Sequence, residues 1–196
     1  SLQKDVKLHF GSVKTIEENA KNLLFSLGNE NLVFSDAREA EKNKLGRLEE
    51  TKFIFLSKKL QELPLRLRCI INIAERLSGK IDDANLIRIH IDTKKVTYLC
   101  VDNLETEALP KVTNRTIVDF RQQSVRRFEH LTRGHEKVLY QKSKYMDATE
   151  RNFKTQRAFD DLLEKELSFD FLGEGPRYQE FTLALADRKI VPPSYK

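Results

Sequence analysis

Positive charge is concentrated in the second half of this 196-residue sequence. Between Lys111 and Arg157 there are twelve Lys and Arg residues against five Asp and Glu residues, which gives this segment a net charge of +7. The whole chain carries +5, so the remainder sums to −2. Such cations neutralise the phosphates of nucleic acids, and interleaved rings such as Phe128, Tyr140 and Tyr145 can stack on bases. The pattern predicts a nucleic-acid surface made of Arg121, Arg126, Arg127, Arg133, Lys137, Lys142 and Lys144.

A solvated face is the alternative interpretation of the same segment. The stretch from Asp160 to Glu174 is strongly acidic, and its carboxylates can pair with the neighbouring cations. Arg126 and Arg127 are adjacent in a predicted strand, so their side chains must point to opposite faces and cannot both line one groove. We therefore expect weak, sequence-independent DNA binding to which only one of these two arginines contributes.

A second candidate site is a cleft lined by Arg88, His90 and Tyr98. Arg88 and His90 alternate with isoleucines on one face of a predicted strand, so His90 is either a cleft residue or a half-buried structural histidine. With Lys142 added, the cleft would be that of an enzyme. The sequence has no nucleophile elbow and no paired carboxylates with acid–base spacing, so it predicts no catalytic residue. None of the four histidines has zinc spacing, so we expect no metal site.

Glycine spacing bears on cofactor binding. A methyltransferase that uses S-adenosylmethionine usually needs a glycine-rich turn after its first strand, where the backbone approaches the cofactor. The one G-x-G here, Gly173-Glu174-Gly175, precedes a predicted helix that Pro176 opens. We therefore expect no cofactor in this chain.

Composition describes a soluble chain with enough apolar residues for a core. It is 39% hydrophobic and 33% charged, and no run approaches 18 apolar residues. The start lacks the apolar region of a signal peptide. Cys69 and Cys100 lie in apolar segments and form no C-x-x-C pair, so both are expected to be buried, reduced thiols. These observations predict a cytoplasmic protein that does not contact membranes.

Helical periodicity dominates the first half. Leu2, Val6 and Phe10 indicate a short first helix, and Ser12 can cap a second one that a left-handed Gly28 would end. A weaker helical stretch follows between Val33 and Ala40. The strongest helix begins at Pro64 and ends before Gly79, and its predicted inward residues are Leu67, Ile70, Ile71, Ala74 and Leu77.

Strand periodicity replaces the helical one from about residue 85. Residues 86–91 and 96–101 read as one hairpin, and 116–120 with 125–128 read as a second. Residues 53–56 form a further buried strand, a capping box at Asp147–Glu150 opens a helix, and Pro176 opens the last one. We predict a single α+β domain over 1–196, helical to about residue 50 and α+β from about 51. It has a mostly antiparallel sheet of four to five strands and two C-terminal helices.

Six short blocks, in this order and spacing, resemble a known family. They are Phe10-Gly11-Ser12, Leu23–Gly28, Leu63–Arg68, Ala84–His90, Lys95–Leu99 and Val118–Arg121. Together they are similar to the C-terminal region of the DNA phosphorothioation-associated methyltransferases. The chain departs from the family pattern at Arg88, where the family has lysine, and at Tyr140-Gln141, where it has His-Arg.

The resemblance implies a C-terminal fragment of a longer protein whose preceding portion would hold S-adenosylmethionine. It also implies a bacterial defence or DNA-modification setting, with DNA as the target and the remainder of the parent chain as a partner. The leading hypothesis is a non-catalytic domain that engages DNA through the basic surface. The rival is a structural or protein-interaction domain that docks on the catalytic portion or on another protein. The reaction, the sequence preference and the oligomeric state stay open.

Overall fold

A computed structural model of the chain describes residues 12–130, 136–171 and 175–195. The α+β class is confirmed, with five α-helices and seven strands in these ranges. The helices are α1 Val13–Ser26, α2 Glu30–Lys42, α3 Leu65–Ser78, α4 Phe153–Glu166 and α5 Tyr178–Asp187. The strands are β1 Arg47–Glu49, β2 Lys52–Leu56, β3 Leu86–His90, β4 Lys95–Val101, β5 Lys111–Asp119, β6 Ser124–Glu129 and β7 Lys137–Val138. Two 3₁₀ helices span Ser57–Glu62 and Lys142–Tyr145.

All seven strands form one antiparallel sheet. Strands β1 to β6 neighbour one another in chain order, and β7 pairs with the start of β5. Both predicted hairpins, β3–β4 and β5–β6, are confirmed. The sheet exceeds the expected four to five strands because β1 and β7, with three and two residues, are too short to show an alternating pattern.

One face of the sheet, which we call the helix face, packs on α2 and α3. Its strand residues alternate with those of the other face, as the period-2 pattern requires. The core here comprises Val33, Ala37, Ala40, Phe53, Phe55, Leu67, Ile71, Ala74, Ile87, Ile89, Val96, Tyr98 and Val118, among others. Four of the five predicted inward residues of α3 are buried, but Leu77, in the last turn of the helix, is 44% exposed.

Local capping explains some helix boundaries. The Ser12 hydroxyl accepts a hydrogen bond from the Thr15 N–H at 3.1 Å, as predicted. Gly79 follows α3 with φ of +75°. The prediction of a left-handed Gly28 is wrong, because α1 ends two residues earlier and Leu27 stays right-handed at φ −64°. The helix predicted before Gly11 lies outside the described residues.

A second core lies around the two C-terminal helices. Phe159 and Leu163 of α4 pack with Phe181 of α5 and with Val138 and Tyr140. The predicted capping box is half formed, since Glu150 Oε1 accepts the Asp147 N–H at 3.0 Å. The helix begins only at Phe153, because turns intervene.

The two cysteines differ in exposure. Cys100 is buried on the helix face, whereas Cys69 is half-buried. The prediction for Cys69 is therefore wrong: the inward stripe of α3 runs through positions 67, 70, 71 and 74, and residue 69 lies beside it. Within the described ranges, no helix is both long and apolar enough to cross a membrane.

Candidate anion-binding face of the sheet

The other face of the sheet, which we call the open face, carries polar side chains in cross-strand rows. In one row Lys52, His90 and Lys95 stand opposite one another on β2, β3 and β4. In the next row Arg88 is level with Thr97, then Ile117 on β5 and Arg126 on β6. Directly opposed side chains in an antiparallel pair lie about 5 Å apart, so the rows form a continuous polar surface.

This face is electropositive. Register places six basic side chains on it, namely Arg47, Lys52, Arg88, Lys95, Arg115 and Arg126. Two acidic side chains share it, Glu49 and Asp119. Asp119 is only 2% exposed, and one oxygen is bound to the Lys95 ammonium at 3.2 Å while the other accepts the N–H groups of Arg121 and Gln122. Six cations against two carboxylates leave a net positive charge.

The pKa of His90 reflects its burial first and the neighbouring cations second. Burial, followed by the charges of Arg88 and Lys52, lowers the pKa of His90 from its ordinary value to about 4. Its Nε2 lies 3.0 Å from the Thr97 hydroxyl, and the ring is half-buried. The structural interpretation of His90 is therefore favoured, and near neutral pH the ring is uncharged.

An aromatic ring adjoins the charges at the sheet edge. The Arg115 guanidinium lies over the Phe128 ring with its central carbon 4.8 Å from the ring centroid, and Phe128 is 36% exposed. The two residues are directly paired across β5 and β6. The pair offers a cation and an exposed ring side by side, which is the combination that single-stranded nucleic acids contact.

The open face ends in a narrow cleft, which we call the blind cleft. It has a volume of about 70 Å³, and its polar lining includes Arg88, Arg115, His130, Lys137 and Tyr145. Beyond it the chain covers the sheet, because Leu139 and Tyr145 pack on the apolar ends of the strands. The Arg88 Nε is buried and has no hydrogen-bond partner among the described residues. Burial raises the pKa of Tyr145 to about 12, and Glu49 adds to this effect.

The structure disperses the seven residues predicted to form one basic surface. Arg126 lies on the open face and Lys137 in the blind cleft. Arg121 is at the hairpin end, where Nη2 donates to the Asp92 carbonyl at 2.9 Å. Lys144 lines a separate cleft with Lys59 and Asp147. Arg133 lies outside the described residues.

Arg127 and Lys142 contradict that prediction most directly. Arg127 points to the helix face, where Nη2 donates to the Ser78 carbonyl at the end of α3 at 3.0 Å. Lys142 is 2% exposed, and its Nζ donates to the Glu107 carbonyl at 2.7 Å and lies 4.6 Å from the Tyr195 ring centroid. Burial lowers its pKa. It belongs to the second core because the C-terminal segment covers it.

The predicted cleft of Arg88, His90 and Tyr98 is not assembled. Tyr98 is fully buried on the helix face, with its hydroxyl 3.4 Å from the Ile71 carbonyl. Arg88 and His90 share the open face, as their alternation predicted. The Lys142 ammonium contacts the Glu107 carbonyl and the Tyr195 ring, and Tyr98 is on the opposite face from Arg88 and His90, so the four residues form no shared site.

Sequence reasoning missed Arg47, Lys52, Lys95 and Arg115 as members of the open face. These residues could have been found from the alternation of side chains along each strand, since residues two positions apart share a face. Arg88 and His90 were recognised in this way, but the neighbouring strands were not aligned to them. Among the described residues, no three His, Cys, Asp or Glu side chains are placed to hold a metal ion.

Comparison of the chain with models of known protein families, with curated proteins and with solved structures finds no match.

Proposed function

We propose that this domain binds DNA through the open face of its sheet. The observation that carries the proposal is the gathering of six basic side chains, supplied by β1 to β6, on one face. These residues are far apart in the sequence, and the strand register alone brings them together. Each cation that contacts a phosphate releases counterions, so the binding is sequence-independent and weakens with salt.

The extent of the face matches a nucleic-acid backbone. Lys52 on β2 and Arg126 on β6 are four strand spacings apart, which is about 19 Å at 4.8 Å per strand. A DNA strand presents roughly five phosphates over that length, at about 3.4 Å each. Arg88 on β3 and Lys95 on β4 lie between these two residues, so four of the five strands on this path supply a cation to these two rows.

The resemblance of the six sequence blocks gives this proposal its context. In that context the domain is the non-catalytic C-terminal part of a DNA phosphorothioation-associated methyltransferase in the cytoplasm. Another portion of the parent protein would hold S-adenosylmethionine, and this domain would hold the DNA.

The test is a charge-reversal pair measured on a short DNA duplex. Lys52→Glu with Arg126→Glu changes two side chains of the open face. The matched control, Arg38→Glu with Arg127→Glu, makes the same change in charge on the helix side, since Arg38 is exposed on α2. We expect the first double variant to bind more weakly and to lower the log–log salt slope by about 1.8, at 0.9 for each phosphate contact. Equal losses in both variants would show that net charge, and not this face, determines binding.

A protein-docking function is the second candidate, and α1 is the observation that favours it. This helix buries no residue: Phe25 is 82% exposed and Leu24 57% exposed near its end, and Val13 is 57% exposed at its start. An apolar cleft of about 530 Å³ adjoins it between α1, α3 and the hairpin ends. Replacing Leu24 and Phe25 by serine should abolish partner binding while leaving DNA affinity unchanged if docking is the function.

A further inference from the structure

We propose that the blind cleft binds one tetrahedral oxyanion and that it takes the terminal phosphate of a DNA strand lying on the open face. The second half of this inference rests on the proposed function, whereas the first half does not. Arg88 belongs both to a cationic row and to the lining of the cleft, so a DNA strand that ends at Arg88 has its terminal group beside the cleft.

The cleft's charge fits a doubly charged anion. Among its described lining residues, Arg88, Arg115 and Lys137 carry positive charge and Glu49 carries negative charge. Glu49 also pairs with Arg47 at 3.5 Å, outside the cleft. A terminal phosphate monoester carries nearly two negative charges near neutral pH, whereas a phosphodiester or a carboxylate carries one. The lining therefore favours the monoester.

Donor geometry points the same way. Arginine presents its N–H groups in a planar fork that matches the oxygens of phosphate. Arg88 Nε is removed from solvent without a partner among the described residues, which is unusual for a buried donor. Leu99, Val112 and Leu139 provide apolar walls. Such walls strengthen the attraction between the cations and an anion.

The size of the cleft excludes larger groups. A volume of about 70 Å³ holds roughly five water-sized groups at about 15 Å³ each. One phosphate group with its four oxygens fits this space, and a nucleoside does not. The sugar and base would remain outside, near Arg115 and the exposed Phe128 ring.

The experiment compares three forms of one short single-stranded DNA, with a 5′-phosphate, with a 3′-phosphate or with hydroxyl groups at both ends. We expect at least one phosphorylated form to bind about tenfold more tightly than the hydroxyl form. Arg88→Gln should remove that preference, whereas Lys52→Gln, which also takes one cation from the open face, should weaken all three forms alike and keep the preference. Arg38→Gln, on the helix side, is the control and should keep the preference.

A second measurement uses the wild-type protein, so it stands even if Arg88→Gln fails to fold. Inorganic phosphate is titrated while the Nε–H resonance of Arg88 is followed by NMR, with acetate as the control anion. A saturable shift with phosphate but not acetate supports the oxyanion site. If phosphate shifts the signal and no end preference exists, the site takes a free anion and the terminal-phosphate assignment is wrong.

The absence of any phosphate-specific shift, together with equal affinity for all three DNAs, would overturn the inference. If DNA binds with no end preference and responds to Lys52→Glu with Arg126→Glu, and phosphate does not shift the Arg88 signal, only the proposed function survives. If no DNA binds but phosphate shifts Arg88, the proposed function fails and the oxyanion site remains.

Discussion

The same strands supply the side chains of both faces of the sheet, but one face is apolar and buried and the other is polar and largely open. On β3, Ile87 and Ile89 are buried under α3, while Arg88 and His90, one position away, lie on the open face. The helix face is apolar and covered along most of its length, whereas the open face carries cations in rows and is covered only at one end. Alternate positions of one strand therefore face different environments, and the residue types at these positions match them.

This difference shows why charge counted along the chain is a poor guide to a surface. The segment from Lys111 to Arg157 is strongly basic, yet its cations go to the open face, the helix face and the second core. The open face instead gathers single cations from separate strands. A site on a sheet is found by pairing strands first and counting charges afterwards.

The largest contrast between the faces concerns packing. Ile89→Ala on the helix face should lower the free energy of unfolding by about 2–5 kcal/mol, because it leaves a cavity in a closed core. Ile117→Ala on the open face should cost roughly 1 kcal/mol, because that side chain is only half-buried. Chemical denaturation of both variants measures the difference. Equal costs would mean that the open face is packed as tightly as the helix face.

The thiol reactivities of the two cysteines allow the buried helix face to be compared with the more exposed side of α3. Cys100 on the helix face should react with a thiol reagent roughly 100-fold more slowly than half-buried Cys69 in the native protein. Burial raises the pKa of the Cys100 thiol, and labelling needs local opening. Mass spectrometry of partly labelled protein gives both rates. Rapid labelling of Cys100 would contradict the packing of α3 on β4.

Arg126 and Arg127 are adjacent on β6 but point to opposite faces, so we expect Arg126 to affect DNA binding and Arg127 to affect stability. Arg127→Gln should lower the free energy of unfolding by about 1 kcal/mol, because the Ser78 carbonyl loses its donor, and should leave DNA affinity unchanged. Arg126→Gln should leave stability unchanged and weaken DNA binding, with the duplex salt slope smaller by about 0.9. Denaturation and salt-dependent binding distinguish them, and the reverse assignment would show that the register of β6 is wrong.

The smallest expected effect is the pH dependence that His90 confers. Its folded pKa of about 4 lies below the unfolded value near 6.5, so between these pH values the unfolded chain binds a proton that the folded chain does not. The free energy of unfolding therefore falls as the pH decreases from about 6.5 towards 4. His90→Gln should reduce this slope, as measured by denaturation at several pH values. Identical slopes would contradict the lowered pKa of this half-buried ring.

Local signals in the sequence were enough for much of the fold. The hairpin of β3 and β4 followed from alternation over residues 86–101, and α3 followed from Pro64, Gly79 and a clear apolar stripe. The opposition of Arg126 and Arg127 followed from strand geometry alone. These features depend on residues close together in the chain.

The rest depends on contacts between distant residues. Lys142 is buried because Tyr195, which is 53 positions later, lies against it and because the Glu107 carbonyl accepts a hydrogen bond from its ammonium. No pattern around residue 142 carries that information. The open face could not be predicted for the same reason, since Lys52 and Arg126 lie on one surface only once five strands have paired.

Strand β6 forms an edge of the sheet, and its sequence bears on self-association. Edge strands present unpaired backbone groups that can recruit a strand from another molecule. Exposed Arg126, Arg127 and Glu129 oppose this by keeping charge of both signs along the edge. Neutral substitutions there would weaken the protection, whereas charge reversal retains it. Loss of binding in a charge-reversed protein can therefore be separated from loss of soluble monomer.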